Sequence, residues 1–217
     1  MDWAERYRQS VARYREGESR VGAVGDPDQR QRQLTRLGNA AWAAGLCLLM
    51  SGREPEAREW LRRAATRYRE SWDAGAPPDA WGRPIAAMKA RLLAGDDAAD
   101  AALWALEADA AGAASPIGRY AAALALLVLG RDTEAAMQAG VLRRRGDFPP
   151  DVADSLAALA AGDADAYAAA VEAVLRSFET RDEFLEDVPV ADTPLVLERL
   201  AAPRGLATGL RESGRLP

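Results

Sequence analysis

A glycine followed by a charged residue recurs four times, each time between two apolar helical runs: Ser51-Gly52-Arg53-Glu54, Ala94-Gly95-Asp96-Asp97, Leu129-Gly130-Arg131-Asp132 and Ala161-Gly162-Asp163-Ala164. Glycine enters the left-handed backbone region without a Cβ clash, so it can end a helix there. The polar residue beside it can cap the helix that follows. The phrase therefore predicts the elbow of a helical hairpin. Gly52, Gly95, Gly130 and Gly162 are spaced by 43, 35 and 32 residues, a period typical of helical-hairpin repeats. The drift in spacing predicts degenerate repeats with loop insertions.

The rest of the chain agrees with an all-α fold. Helix-favouring Ala, Leu, Arg and Glu dominate, isoleucine occurs only at 85 and 117, and no alternating strand pattern of useful length is present. Trp3, Tyr7, Val11 and Tyr14 fall on one face of a first helix, about Asp2 to Glu18. Asp26-Pro27-Asp28-Gln29 and Ser115-Pro116 read as caps with a first-turn proline, and Thr193-Pro194 does the same for a last short helix near 193–202. The clearest linker is 73–80. The expectation is a single domain over 1–217, with hairpins near 28–72, 83–112, 116–145 and 151–180 and a capping segment at 181–217.

Composition narrows the function. With 49% hydrophobic and 28% charged residues the chain is a folding one. A net charge of −5 gives no basic footprint for nucleic acid. Apolar runs such as 40–50 and 120–129 fall well short of the ~20 residues that cross a bilayer, so no membrane partner and a cytoplasmic location are expected. The single Cys47, in an apolar run, reads as a buried small hydrophobe. Histidine is absent. That removes Ser-His-Asp and Cys-His catalysis and histidine metal ligands, so neither catalytic residues, cofactor nor metal are expected.

In the first hairpin Gly45, Leu48, Gly52, Ala57, Leu61 and Ala64 stand in a small, large, turn-glycine, small, large, small order. This resembles the tetratricopeptide repeat (TPR). Ala123, Leu126, Gly130 and Ala135 repeat part of it before Ala139 departs from it, and antiparallel helices in other bundles can show the same order. The resemblance implies antiparallel hairpins in a right-handed, TPR-like stack that serves as a protein-binding surface.

Three groups are candidates for chemistry. Glu179, Asp182, Glu183, Glu186 and Asp187 form an acidic run, and a continuing helix would put Glu179, Glu183 and Glu186 on one face. Such carboxylates can hold a hard cation, the basis of an alternative metal-dependent enzyme, or they are a solvated helix end. Arg143-Arg144-Arg145 reads as a phosphate or acidic-partner site, or as cations complementing a helix C-terminus. Trp60, Arg63, Arg67, Trp72 and Trp81 combine the residue types enriched at interaction hot spots, and are the expected contacts for an acidic peptide or protein. The competing interpretation is core with a solvated arginine edge.

Leu195, Leu197, Leu200 and Ala201 are expected to fold the last helix back over the open end of the stack. A short Leu-Ala helix, Arg204-Gly205-Leu206, then Ser213 and Leu216-Pro217 resemble the end of an all-helical immunity protein family of polymorphic toxin systems, family forty-nine. This implies a cytoplasmic protein that neutralises a cognate toxin by binding it. Sensing of a small ligand inside an all-α bundle is a further alternative.

Overall fold

The computed structural model describes residues 1–217, and every regular element in it is helical: α1 (Trp3–Val21), α2 (Pro27–Leu49), α3 (Glu54–Asp73), α4 (Gly82–Ala94), α5 (Ala99–Glu107), α6 (Pro116–Val128), α7 (Asp132–Arg143), α8 (Pro150–Ala161), α9 (Ala164–Thr180) and α10 (Asp192–Ala201), with short 3₁₀ turns at Ala110–Gly112, Leu185–Asp187 and Ala202–Arg204. The pairs α2–α3, α4–α5, α6–α7 and α8–α9 meet at the four glycines. All four are left-handed, with φ of 68°, 74°, 68° and 68°. At each elbow the residue after the glycine donates its N–H to a carbonyl five residues back: Arg53 to Leu48, Asp96 to Arg91, Arg131 to Leu126 and Asp163 to Ala158, at 2.9–3.1 Å. These are Schellman closures, which satisfy carbonyls that a helix end leaves open.

The charged residue after the glycine caps the next helix only at Asp163, whose carboxylate accepts from the Ala166 N–H at 3.0 Å. Arg53 and Arg131 cannot do this, because a guanidinium has no acceptor. Each instead pairs with the glutamate three residues on, Glu56 or Glu134. The Asp96 carboxylate is taken by Arg62 of α3 in a two-pronged contact, 2.8 Å on each arm. Asp26 and Ser115 cap as expected, accepting from the N–H groups of Gln29 and Gly118. Thr193 does not: the cap position of α10 is Ala191, and the Thr193 hydroxyl turns inward to accept from Lys89.

Consecutive helices pack along the chain, α4 also touches α6, and α6 touches α8. One continuous apolar cluster runs from Val11 in α1 to Ala201 in α10. Cys47 lies inside it, fully buried, and burial pushes its thiol up to about 11.

The C-terminal segment lies against several of the hairpins. Its 3₁₀ turn at Leu185–Asp187 packs on α2, and α10 packs on α4, α8 and α9. Arg204 reaches the third hairpin, donating to the Leu127 carbonyl at 2.7 Å and to the Asp132 carboxylate at 2.5 and 3.2 Å. Residues 185–204 thus touch all four hairpins. The apolar face of α10 (Val196, Leu197, Leu200, Ala201) is buried in these contacts. Beyond Gly205 the chain runs back beside α10. Leu206 donates to the Ala201 carbonyl at one end, and the Arg215 carbonyl accepts from the Ala191 N–H at the other.

Candidate functional site

The aromatic–arginine face lies where α1 crosses α3. Tyr7 and Tyr14 meet Trp60 edge-on, with ring centroids 6.3 and 5.2 Å away and planes at 82° and 87°. Arg63 lies over the Trp60 ring at 4.7 Å, Arg67 over Tyr14 at 5.7 Å and Arg53 over Tyr7 at 5.5 Å. Arg67 also donates to the Tyr14 hydroxyl, Glu18 and Glu70, at 2.5–3.0 Å. A second aromatic group fills the bend between α3, α4 and α5: Trp72 is 6.3 Å from Trp81 and 5.4 Å from Trp104, edge-on to the latter at 74°. Trp81 reaches α6, where a Cβ on Gly118 would lie 2.8 Å from its indole nitrogen.

Of the five sequence-derived contact residues, Trp60 and Trp81 are therefore internal, 8% and 7% exposed. Arg67 and Trp72 are half-buried, and Arg63 is exposed. The indoles join helices because burying so large an apolar surface outweighs any single surface contact. The sequence left the turn of α3 open, since Trp60 borders the apolar stripe of Leu61, Ala64 and Tyr68. The α3 guanidiniums are not a bare cationic surface either. Arg53, Arg58, Arg62, Arg67 and Arg69 each have a carboxylate partner.

The acidic run is dispersed, because α9 stops at Thr180 and 181–184 is irregular. Glu179 receives both arms of Arg211, at 2.9 and 2.6 Å, and the Ser213 hydroxyl at 2.7 Å. The Arg211 hydrogen bonds, helped by Ser213, bring its carboxyl down to about 2. Glu186 pairs with Arg13 of α1 at 2.9 Å, and Glu183 stays exposed. Three carboxylates expected on one face thus take three different surroundings, and no three Asp, Glu or Cys side chains converge as a metal site. The arginine triplet also divides: Arg143 pairs with Asp154 of α8 at 2.7 Å, Arg145 with Asp147, and Arg144 ends α7 exposed.

A concavity of about 980 Å³ was not anticipated from sequence. It opens between the first elbow, α10 and the returning tail. Leu49, Met50, Leu93, Leu195, Leu210 and Leu216 line it together with the charged Glu54, Arg58, Glu198, Arg199 and Arg211. Its tail wall is fixed by Glu198, whose carboxylate accepts the N–H groups of Thr208 and Gly209 at 3.0 Å and the Tyr167 hydroxyl at 2.8 Å. Burial and that hydrogen bond hold the Tyr167 hydroxyl far above its ordinary range. No local pattern signals this cleft, because its walls come from segments some 150 residues apart.

No helix is long and apolar enough to cross a membrane. No family model, curated protein or solved structure matches this chain.

Proposed function

We propose that this chain is a non-catalytic protein-binding protein: a degenerate, right-handed, TPR-like stack of hairpins that acts in the cytoplasm as an immunity protein, neutralising a cognate toxin by binding it. One observation carries the binding role. The hairpin stack already holds a polypeptide segment, 185–204, against all four of its hairpins. The apolar lining and shape that hold this segment are those a peptide-binding stack needs. The contacts of α4 with α6 and of α6 with α8 fit such a stack, in which the first helices of successive hairpins line one face.

With that face filled by its own chain, the partner is assigned to the open surface. This comprises the cleft between the first elbow and the tail, which Glu54 and Arg58 of α3 line, together with the exposed Arg63 and the half-buried Arg67 and Trp72 farther along the same helix. The cleft mixes leucines with charged side chains in its lining, and a protein interface likewise combines apolar contacts with polar ones.

The test is co-expression with the product of the neighbouring gene. A complex that co-purifies and survives size-exclusion chromatography is expected. Arg199→Glu, in the cleft lining, is expected to weaken it. Failure of the two proteins to associate would sink the proposal.

A further inference from the structure

Residues 181–188 join α9 to the buried stretch Val188–Ala191, and two of them are left-handed without being glycine: Glu186 (φ 55°, ψ 24°) and Asp187 (φ 57°). The only other non-glycine residue with positive φ is Asp109. In this region a Cβ crowds the following carbonyl oxygen, so side-chain-bearing residues enter it singly, not in pairs. Such a backbone lasts only where its surroundings impose it, and it recurs in segments that switch. The surroundings here are few. The backbone–backbone hydrogen bonds of 181–188 are all local, such as Asp187 N–H to the Phe184 carbonyl at 3.1 Å and Val188 N–H to the Leu185 carbonyl at 3.2 Å. Arg181, Asp182, Glu183, Leu185 and Asp187 are exposed. A second cleft, about 460 Å³, separates the segment from Trp42 and Leu46 of α2 and Phe178 of α9. The Phe184 ring touches Phe178 and Arg215, at 6.2 and 5.0 Å between centres. The remaining hold comes from α1. Arg6 donates to the Asp187 carbonyl at 2.5 Å, and Arg13 pairs with Glu186 at 2.9 Å. These arginines are seven positions apart, about two helical turns, and so share one face of α1. The two residues they grip are the two left-handed ones.

We infer that residues 181–188 form a strained latch: α1 holds it shut through Arg6 and Arg13, and it opens as a unit while the hairpin stack stays folded, uncovering Trp42, Leu46 and Phe178. The closed form sets left-handed strain against two contacts that water partly reaches, one of them a half-exposed ion pair of the kind that contributes little. Opening therefore takes far less free energy than global unfolding. Because the clasp lies on α1, the seating of the first helix decides whether a segment some 180 residues further along is closed. The latch is independent of the protein-binding role and of the surface assigned to it.

The test is amide hydrogen exchange of the full chain, read by NMR at the Asp187 and Val188 N–H groups, with α2 and α3 amides as the measure of global unfolding. In low urea the two latch amides are expected to exchange at a rate that urea barely changes, while those of α2 and α3 respond steeply. Arg6→Met together with Arg13→Met is expected to raise latch opening about tenfold and to leave α2 and α3 as they were. The strain is read separately, from Glu186→Ala against Glu186→Gly. Both lose the Arg13 pair, and only alanine keeps a Cβ at φ 55°. A strained latch makes the glycine variant the more closed, by about threefold. An unstrained turn reverses that order, since glycine adds freedom to the open chain. Three results overturn the inference: the latch amides follow the urea dependence of α2, the double arginine variant exchanges them as the wild type does, or Glu186→Gly opens at least as often as Glu186→Ala.

Discussion

Between α2 and α3 the contacts join neighbours in the chain. A Cβ on Gly45 would meet Leu61 at 2.8 Å, and one on Gly38 would meet the Tyr68 ring at 2.7 Å, so the two helices approach as closely as glycine allows. The Tyr68 hydroxyl closes the pair by donating to Asn39 at 2.9 Å. Residues 185–217 work differently. Lys89 and Asp192 are 103 positions apart, Arg204 and Asp132 72, and Arg6 and Asp187 181. The hairpin is built by packing at short sequence separation, and the segment across it is secured by charged and polar contacts at long separation. Packing of small against large leaves a pattern in the sequence. A charged pair made across the fold leaves two residues that look like any other surface charges.

The largest expected effect comes from cutting the long-range side of this contrast at its most buried pair. In Lys89 burial opposes the charge, yet the adjacent Asp192 carboxylate outweighs it and raises the ammonium above its ordinary range. Lys89→Met leaves Asp192 shielded from water without its cation. Breaking a buried pair in this way costs roughly 3–5 kcal/mol, and urea unfolding is expected to show a loss of about 3. The pH sign follows from the raised value. The contribution is fully present below the ordinary lysine range and disappears as pH rises through the folded-state value, so wild type and variant converge in strong alkali. Equal stability of the two at neutral pH would mean that α10 is held by its apolar face alone.

Next is the packing side. Gly45→Val places branched carbons against Leu61, which is fully buried and has nowhere to swing. Overpacking of this kind costs about 1–3 kcal/mol, against a helix-propensity gain of only a few tenths. A drop of about 2 kcal/mol in urea unfolding is expected. A smaller effect is expected at the elbow: Gly52→Ala has open space for its methyl group but must hold φ at +68°, which costs about 1 kcal/mol. A Gly52→Ala loss as large as that of Gly45→Val would show the elbow, not the close approach, to be the stronger constraint.

These differences explain what was legible. All four elbows could be read because glycine meets, without a Cβ clash, the left-handed backbone demand that Schellman closure makes at each of them. Helix ends followed within a few residues, except at α5, which ends at Glu107 shortly before Asp109 turns left-handed. The direction in which α3 faces could not be read. Trp60 at the edge of the apolar stripe suits a core as well as an interface, and only α1 crossing over it decides. The path of 181–217 was hidden for a related reason. A short amphipathic helix announces that it will pack, but its partners α4, α8 and α9 exist as a surface only after the stack has formed. Both clefts use walls from this segment, so neither had a local signal.

The smallest effect on global stability, and the most local, is expected at the tail clamp. Arg211 binds Glu179 with both arms and also reaches Glu172 at 2.8 Å. These groups are open to water, where ion pairs contribute little to overall unfolding. Their work is to set where residues 206–213 lie. Because the Glu179 carboxyl is lowered from 4.5 to about 2 in the folded protein, its contribution is present above 4.5 and is lost as pH falls toward 2. Glu179→Gln removes the charge at every pH. It is expected to leave the thermal unfolding transition almost unmoved while trypsin cuts at Arg211 faster at neutral pH. In the wild type, amide protection across 206–213, corrected for intrinsic exchange, should fade over the same acidic window while α2 and α3 keep theirs. If Glu179→Gln leaves the tail as resistant as before, the wall of the large cleft is held by Glu198 and its two backbone N–H contacts. The long-range charged contacts would then matter for the path of α10 but not for the tail that returns beside it.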